Sequence, residues 1–150
     1  MTHAYISHPL RQQLVGVALQ WECHYSVLPR VGDALSEFDA AMLVGHTPET
    51  FSKAMVGTSA VQKGFDFRWE STRYQVKHNR PSGKKGSKVT NAGNVTTNFE
   101  WDILVYVLYN EFFEIQEVWQ WDAETYQKAF DSRSQKRISL KEMQKGKSLL

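Results

Sequence analysis

Two short runs of alternating side chains, parted by a few polar residues, constrain this chain more than any other feature. Phe65, Phe67 and Trp69 fall on one side of an extended run and Asp66 and Arg68 on the other. Tyr74 and Val76 then alternate with Gln75 and Lys77. Such runs joined by a short polar turn predict a β-hairpin. A two-residue loop at Glu70-Ser71 sets Asp66 across from Gln75. A four-residue loop from Glu70 to Arg73 sets it across from Lys77. Both registers place Asp66, Gln75 and Lys77 on one face, with neighbours about 5 Å apart. A slip of one residue would oppose Asp66 to Val76 and scatter the cluster.

The three side chains have a joint chemistry. Asp66 is a hard carboxylate suited to Mg²⁺ or Mn²⁺, and Gln75 adds a neutral amide oxygen. Mg²⁺ accepts one or two protein ligands together with waters and phosphate oxygens. Lys77 would hold or activate a water, or steady charge developing on a phosphate. The stretch resembles the PD-(D/E)XK nuclease superfamily, which has the restriction-endonuclease-like fold. Asp66 matches the superfamily's Asp, and Gln75-Val76-Lys77 matches its acid-X-Lys tripeptide with Gln in the acidic slot. Phe65 stands where a Pro often precedes the Asp. The match covers residues 64–79. It implies an Mg²⁺- or Mn²⁺-dependent endodeoxyribonuclease with Asp66, Gln75 and Lys77 as its catalytic group. Replacing the usual acid by Gln75 removes one negative charge and weakens the expected hold on the metal.

A helix is expected over Leu10, Leu14, Val17, Ala18 and Trp21, behind Ser7 as a cap and Pro9 in its first turn, ending before Pro29. A second helix, capped by Asp33 and closed by Gly45, carries Leu35, Phe38, Met42 and Leu43 on one arc. Asp39 falls inside that arc and Glu37 at its edge. The superfamily often carries an acid, usually Glu, on the helix before its core strands. Glu37 fits by residue type and Asp39 by helical geometry, so both are candidate metal ligands beside Asp66 and Gln75. Thr47-Pro48-Glu49 opens a third helix, and Val61 begins the approach to the hairpin.

From Lys77 to Asn98 there is no acidic residue, while Lys77, Arg80, Lys84, Lys85 and Lys88 supply positive charge among glycines and small polar residues. This composition predicts a loop fitted to phosphate contact, with Lys84, Lys85 and Lys88 on the backbone and Asn79 and Arg80 placed to read base edges. Net charge is only +2, so nucleic-acid binding would have to be local. The superfamily usually inserts a helix here. Either that helix is lost, or part of Asn91 to Trp101 forms a turn of it.

Trp101 to Tyr109 is apolar on both faces, the mark of a central covered strand. Asn110-Glu111 reads as a turn and Phe112 to Trp121 as the returning strand; its aromatics, Phe112, Phe113, Trp119 and Trp121, are read as core in preference to a base-stacking platform. Asp122 caps a helix through Phe130, and Ser139 with Glu142 forms a capping box before a last short helix. At 150 residues, 41% of them hydrophobic, one α+β domain with a mixed central sheet flanked by helices is expected. The single cysteine, Cys23, excludes an internal disulfide and fits a reducing compartment. His3, His8, Cys23 and His24 match no zinc pattern. No signal peptide or membrane span is read, so a cytoplasmic protein is expected.

DNA is the expected partner, with no membrane. Cutting both strands would favour a homodimer, though no dimer interface is legible. Two rival readings stay open: a catalytically inactive nucleic-acid-binding module on the same fold, which Gln75 supports, and a protein-interaction domain with an incidental basic loop.

Overall fold

A computed structural model of the protein describes residues 8–56, 64–96 and 98–150. The expected positions of Ser7, as a helix cap, and Val61 lie outside the described residues. Three helices come first: α1 (Pro9–Tyr25), α2 (Val31–Val44) and α3 (Pro48–Met55). The hairpin strands β1 (Phe67–Trp69) and β2 (Thr72–Asn79) follow, then β3 (Asn91–Asn94), β4 (Ile103–Tyr109) and β5 (Ile115–Asp122). The chain continues through α4 (Ala123–Phe130), β6 (Arg137–Ser139), α5 (Leu140–Met143) and β7 (Lys147–Ser148). The architecture is α+β. Its five-stranded mixed sheet has the order β1-β2-β4-β5-β7, and β3 pairs with β6 in a separate small sheet. No helix among the described residues is long and apolar enough to cross a membrane.

The hairpin takes the two-residue loop. Trp69 pairs with Thr72 and Phe67 with Tyr74, which sets Asp66 level with Gln75. Glu70 adopts a left-handed φ of 54° in the loop, a conformation that costs an L side chain free energy and suits glycine. Glu70→Gly is therefore expected to stabilise the protein by about 0.5–1 kcal/mol. Thermal unfolding of the two proteins measures it.

β4 is the axis of the fold. It runs parallel to β2 and antiparallel to β5. Its residues alternate between two apolar clusters. Val105, Val107 and Tyr109 join Tyr74 and Val76 beneath α2 and α3, with Ala40, Ala41 and Phe51. Leu104, Tyr106 and Leu108 face the opposite layer of Trp101, Trp121, Tyr126, Phe130 and Ile138. All seven β4 residues except Ile103 are buried, as expected of a strand covered on both sides. The aromatics of β5 divide: Trp121 is buried, whereas Trp119 is half-buried.

Several expectations change. α2 begins at Val31, so Asp33 sits in its first turn and pairs with Arg30 at 3.4 Å instead of capping it. The α1 cap is His8, whose Nδ1 accepts from the Leu10 N–H. Leu10, Leu14 and Val17 share the predicted stripe, yet they are 68%, 62% and 60% exposed, and no residue of α1 is buried. Only the C-terminal part of that stripe is packed, where Trp21 and Tyr25 contact Phe38. The connection from β2 to β4 contains the strand β3 and, among the described residues, no helix. The β4–β5 turn is longer than Asn110-Glu111: Asn110 Oδ1 accepts from the N–H groups of both Phe112 and Glu114. The capping box at Ser139 and Glu142 and the Asp122 cap on α4 form as read.

Candidate active site

Asp66 stands just ahead of β1, where the hairpin begins to open. Its N–H donates to the Tyr74 carbonyl at 2.8 Å, and its Oδ2 accepts from the Val76 N–H at 2.7 Å. The carboxylate thus continues the β2 ladder in place of a strand neighbour, and this fixes its position from two backbone groups. A third contact comes from α2, because the Glu37 and Asp66 carboxyls share a hydrogen bond.

α2 reaches this point because it lies close to β2. A Cβ on Gly32 would fall 2.4 Å from His78 Nε2, so any side chain there would have to displace the His78 ring. His78 is held against the helix by Ser36 Oγ at 3.2 Å and stands 3.8 Å from Asp33 Oδ1. Asp33 and Glu37 are four residues apart and project from one face of the helix toward the sheet edge.

The electrostatics follow from crowding acids with little water. Burial raises the Glu37 carboxyl from its ordinary 4.5 to about 8, with the charges of Asp66 and then Asp33 adding to the effect. Burial raises Asp66 as well, opposed by the Val76 N–H, the Glu37 hydrogen bond and the nearby Lys77 charge. Lys77 moves the other way: burial lowers its ammonium and the Asp66 charge partly restores it. Its Nζ donates to the Asn94 carbonyl at 3.3 Å, so β3 holds the lysine in place. His78 is lowered by burial, against the pull of Asp33. Asp66 therefore interacts with an acid from α2 and with a base from β2.

Glu37, Asp66 and Gln75 line one cleft of about 450 Å³, together with Asp33 and Arg30. The donors are all oxygen and suit a hard cation: two carboxylates, one amide, and room for water and phosphate oxygens. Among the described residues no group of three or more His, Cys, Asp or Glu side chains is placed to hold one ion. A cation in this cleft would be held by Asp66 and Glu37 with the Gln75 amide, the balance coming from water or substrate.

The remaining predicted residues divide. Asp39 is held elsewhere, its Oδ2 accepting from the Tyr109 hydroxyl at 2.7 Å, and it does not line the cleft. Asn79 Oδ1 accepts from the Tyr106 hydroxyl at 2.8 Å, inside the second layer. The Arg80 guanidinium donates to the Glu111 carbonyl and lies 4.7 Å above the Phe113 ring, tying β2 to the β4–β5 turn. Lys84, Lys85 and Lys88 are exposed on a compact loop in which Ser82 N–H donates to Ser87 Oγ and Ser87 N–H to the Lys84 carbonyl. Sequence reasoning missed His78 and Ser36 and read Asp33 only as a cap. The signal for Asp33 was its four-residue spacing from Glu37. No protein-family model and no curated protein matches the chain.

Proposed function

We propose that this protein is a metal-dependent nuclease that hydrolyses DNA phosphodiester bonds, of the restriction-endonuclease-like kind that the hairpin resembles. The observation that carries the reading is that Asp66, Glu37 and Gln75 line one cleft, with Lys77 two residues beyond Gln75 on β2 and in electrostatic reach of Asp66. Mg²⁺ or Mn²⁺ would be held by Asp66, Glu37 and the Gln75 amide, and would supply an acidified water and neutralise phosphate charge. Asp66 is pre-set for its part by the Val76 N–H. Glu37 shares a hydrogen bond with Asp66, and the proton it holds would have to leave for both carboxylates to serve as ligands. Lys77, restrained through Asn94, orients the attacking water and stabilises the charge that builds on the phosphate. The exposed lysines of the 80–88 loop hold the DNA backbone.

The test is cleavage of plasmid DNA in Mg²⁺ or Mn²⁺ by the wild type, with Asp66→Ala and Lys77→Ala beside it. Cutting by the wild type and none by the variants is expected; equal cutting by all three overturns the assignment. Gln75 supports a second reading, an inactive DNA-binding module, because it leaves the site one carboxylate short. DNA binding with no divalent-ion binding by calorimetry would select it.

The loop lysines give a separate expectation. Replacing Lys84, Lys85 and Lys88 together by alanine should weaken binding to every DNA sequence alike. It should also flatten the slope of log affinity against log salt by nearly three, since each phosphate contact contributes about 0.9. Fluorescence anisotropy over a salt series measures it, and an unchanged slope would remove the loop from the interface.

A further inference from the structure

The cleft has a second wall that the phosphate chemistry does not use. Its apolar lining comes from Trp21 and Tyr25 of α1, from Val27 and Leu28 of the α1–α2 connection, and from Met55 and Phe65. Leu28 is 55% exposed although it borders the cleft, so the rim of this wall is open to solvent. Trp21 and Tyr25 are fixed by each other at 4.8 Å and by Phe38 at 5.8 and 6.0 Å. Their rings form a rigid surface, and Tyr25 also packs on Phe51 at 5.2 Å.

A pocket of several hundred Å³ with an apolar wall and a few convergent polar groups is the general form of a small-ligand site. Here the polar groups are Gln75 and Arg30, the latter paired with Asp33, together with Glu37 and Asp66. A duplex keeps its bases stacked and presents only phosphate and groove edges, so it has nothing to place against an aromatic wall. An unpaired base has an apolar face for Trp21 and Tyr25 and hydrogen-bonding edges for an amide and a guanidinium.

Resting on the nuclease reading, we infer that this wall binds one unpaired nucleobase beside the phosphate that the acids address. The preferred substrate is then single-stranded DNA, or a strand end or distorted site that can release a base into the cleft. The base sits against α1 and the residue 27–28 segment, and its own phosphate reaches Glu37 and Asp66.

The experiment crosses two variables by calorimetry on the whole chain. The probes are a deoxynucleoside 5′-monophosphate and deoxyribose 5-phosphate, each with and without excess Mg²⁺. The base should tighten binding about 5- to 100-fold, with Mg²⁺ or without it. Leu28→Glu, which changes an exposed rim residue, should abolish that gain and leave the effect of Mg²⁺ on the sugar phosphate intact. Trp21→Phe should retain most of the gain. Equal affinity for the two probes, or binding of neither, overturns the inference. A gain from the base with no effect of Mg²⁺ would instead uphold the pocket and remove the metal reading.

Discussion

Lys77→Ala is expected to slow plasmid cleavage in Mg²⁺ by about 10²- to 10³-fold, with the loss falling on kcat more than on KM. The ammonium is the cationic side chain beside Asp66, and it arrives there for structural reasons. β2 places it two residues after Gln75, and the Asn94 carbonyl at 3.3 Å restrains its end. Burial lowers its affinity for the proton, which makes an otherwise strongly basic group better able to exchange one. Lys77→Arg separates the two uses of the charge. Arginine keeps the cation but does not deprotonate, so a purely electrostatic role predicts partial recovery and a proton-transfer role predicts none. In the first case the alkaline limb of the pH–rate profile, where the lysine would lose its charge, should disappear in Lys77→Arg. Folding is expected to be little affected in either variant, because the side chain is half-buried and its hydrogen bond to the Asn94 carbonyl is solvent-accessible. Near-ultraviolet circular dichroism checks this, and wild-type rates in Lys77→Ala would end the nuclease reading.

Legibility in the sequence tracked how locally each feature is determined. The hairpin was readable to within two registers, because alternation on both strands fixes the faces and leaves only the loop length open, which the Trp69–Thr72 pairing decides. β4 was readable because a strand covered on both faces has no polar alternation to hide it. β3 was not: Asn91, Gly93 and Asn94 are poor strand formers, and the strand exists through pairing with Arg137–Ser139 and burial of Ala92. The α1 stripe was readable as apolar but not as buried. Periodicity reports a face and is silent on what covers it; here Trp21 and Tyr25 pack on Phe38, while Leu10, Leu14 and Val17 stay exposed.

The choice between Glu37 and Asp39 turned on the same limit. Asp39, inside the apolar arc, does face inward, but Tyr109 of β4 receives it. Glu37, at the arc's edge, is directed to the margin of the sheet, where the opened hairpin leaves space for a cleft. An acid at the edge of a buried face is the one that reaches solvent and a neighbouring acid together. The closeness of helix and sheet that allows this depends on Gly32 against His78, a contact between residues 46 apart that no local pattern encodes.

Glu37→Gln is expected to raise stability at alkaline pH and to flatten its dependence on pH. In the folded protein the Glu37 carboxyl holds its proton up to about pH 8, against an ordinary value of 4.5. The native state therefore binds a proton that the unfolded chain releases. Stability from this group is full below about pH 4.5, falls as pH rises toward 8, and is level above that. Each unit of separation is worth about 1.4 kcal/mol, and with partial solvent access a net difference of about 2 kcal/mol at pH 8 is expected. For a domain of this size that is a rise in Tm of about 4–8 °C for the variant over the wild type. Glutamine keeps a donor for Asp66, so the hydrogen bond survives while the charge does not. The difference between the two proteins across pH separates the Glu37–Asp66 pair from Asp39 and His78, which also titrate. Mg²⁺ should reverse the order: it stabilises the wild type by about 2.7 kcal/mol at a hundred times its dissociation constant, and the variant, lacking one carboxylate, by less. Parallel pH profiles for the two proteins without metal would show that Glu37 is not charged against its surroundings. The shared proton between α2 and the hairpin would then have no part in the chemistry of the cleft.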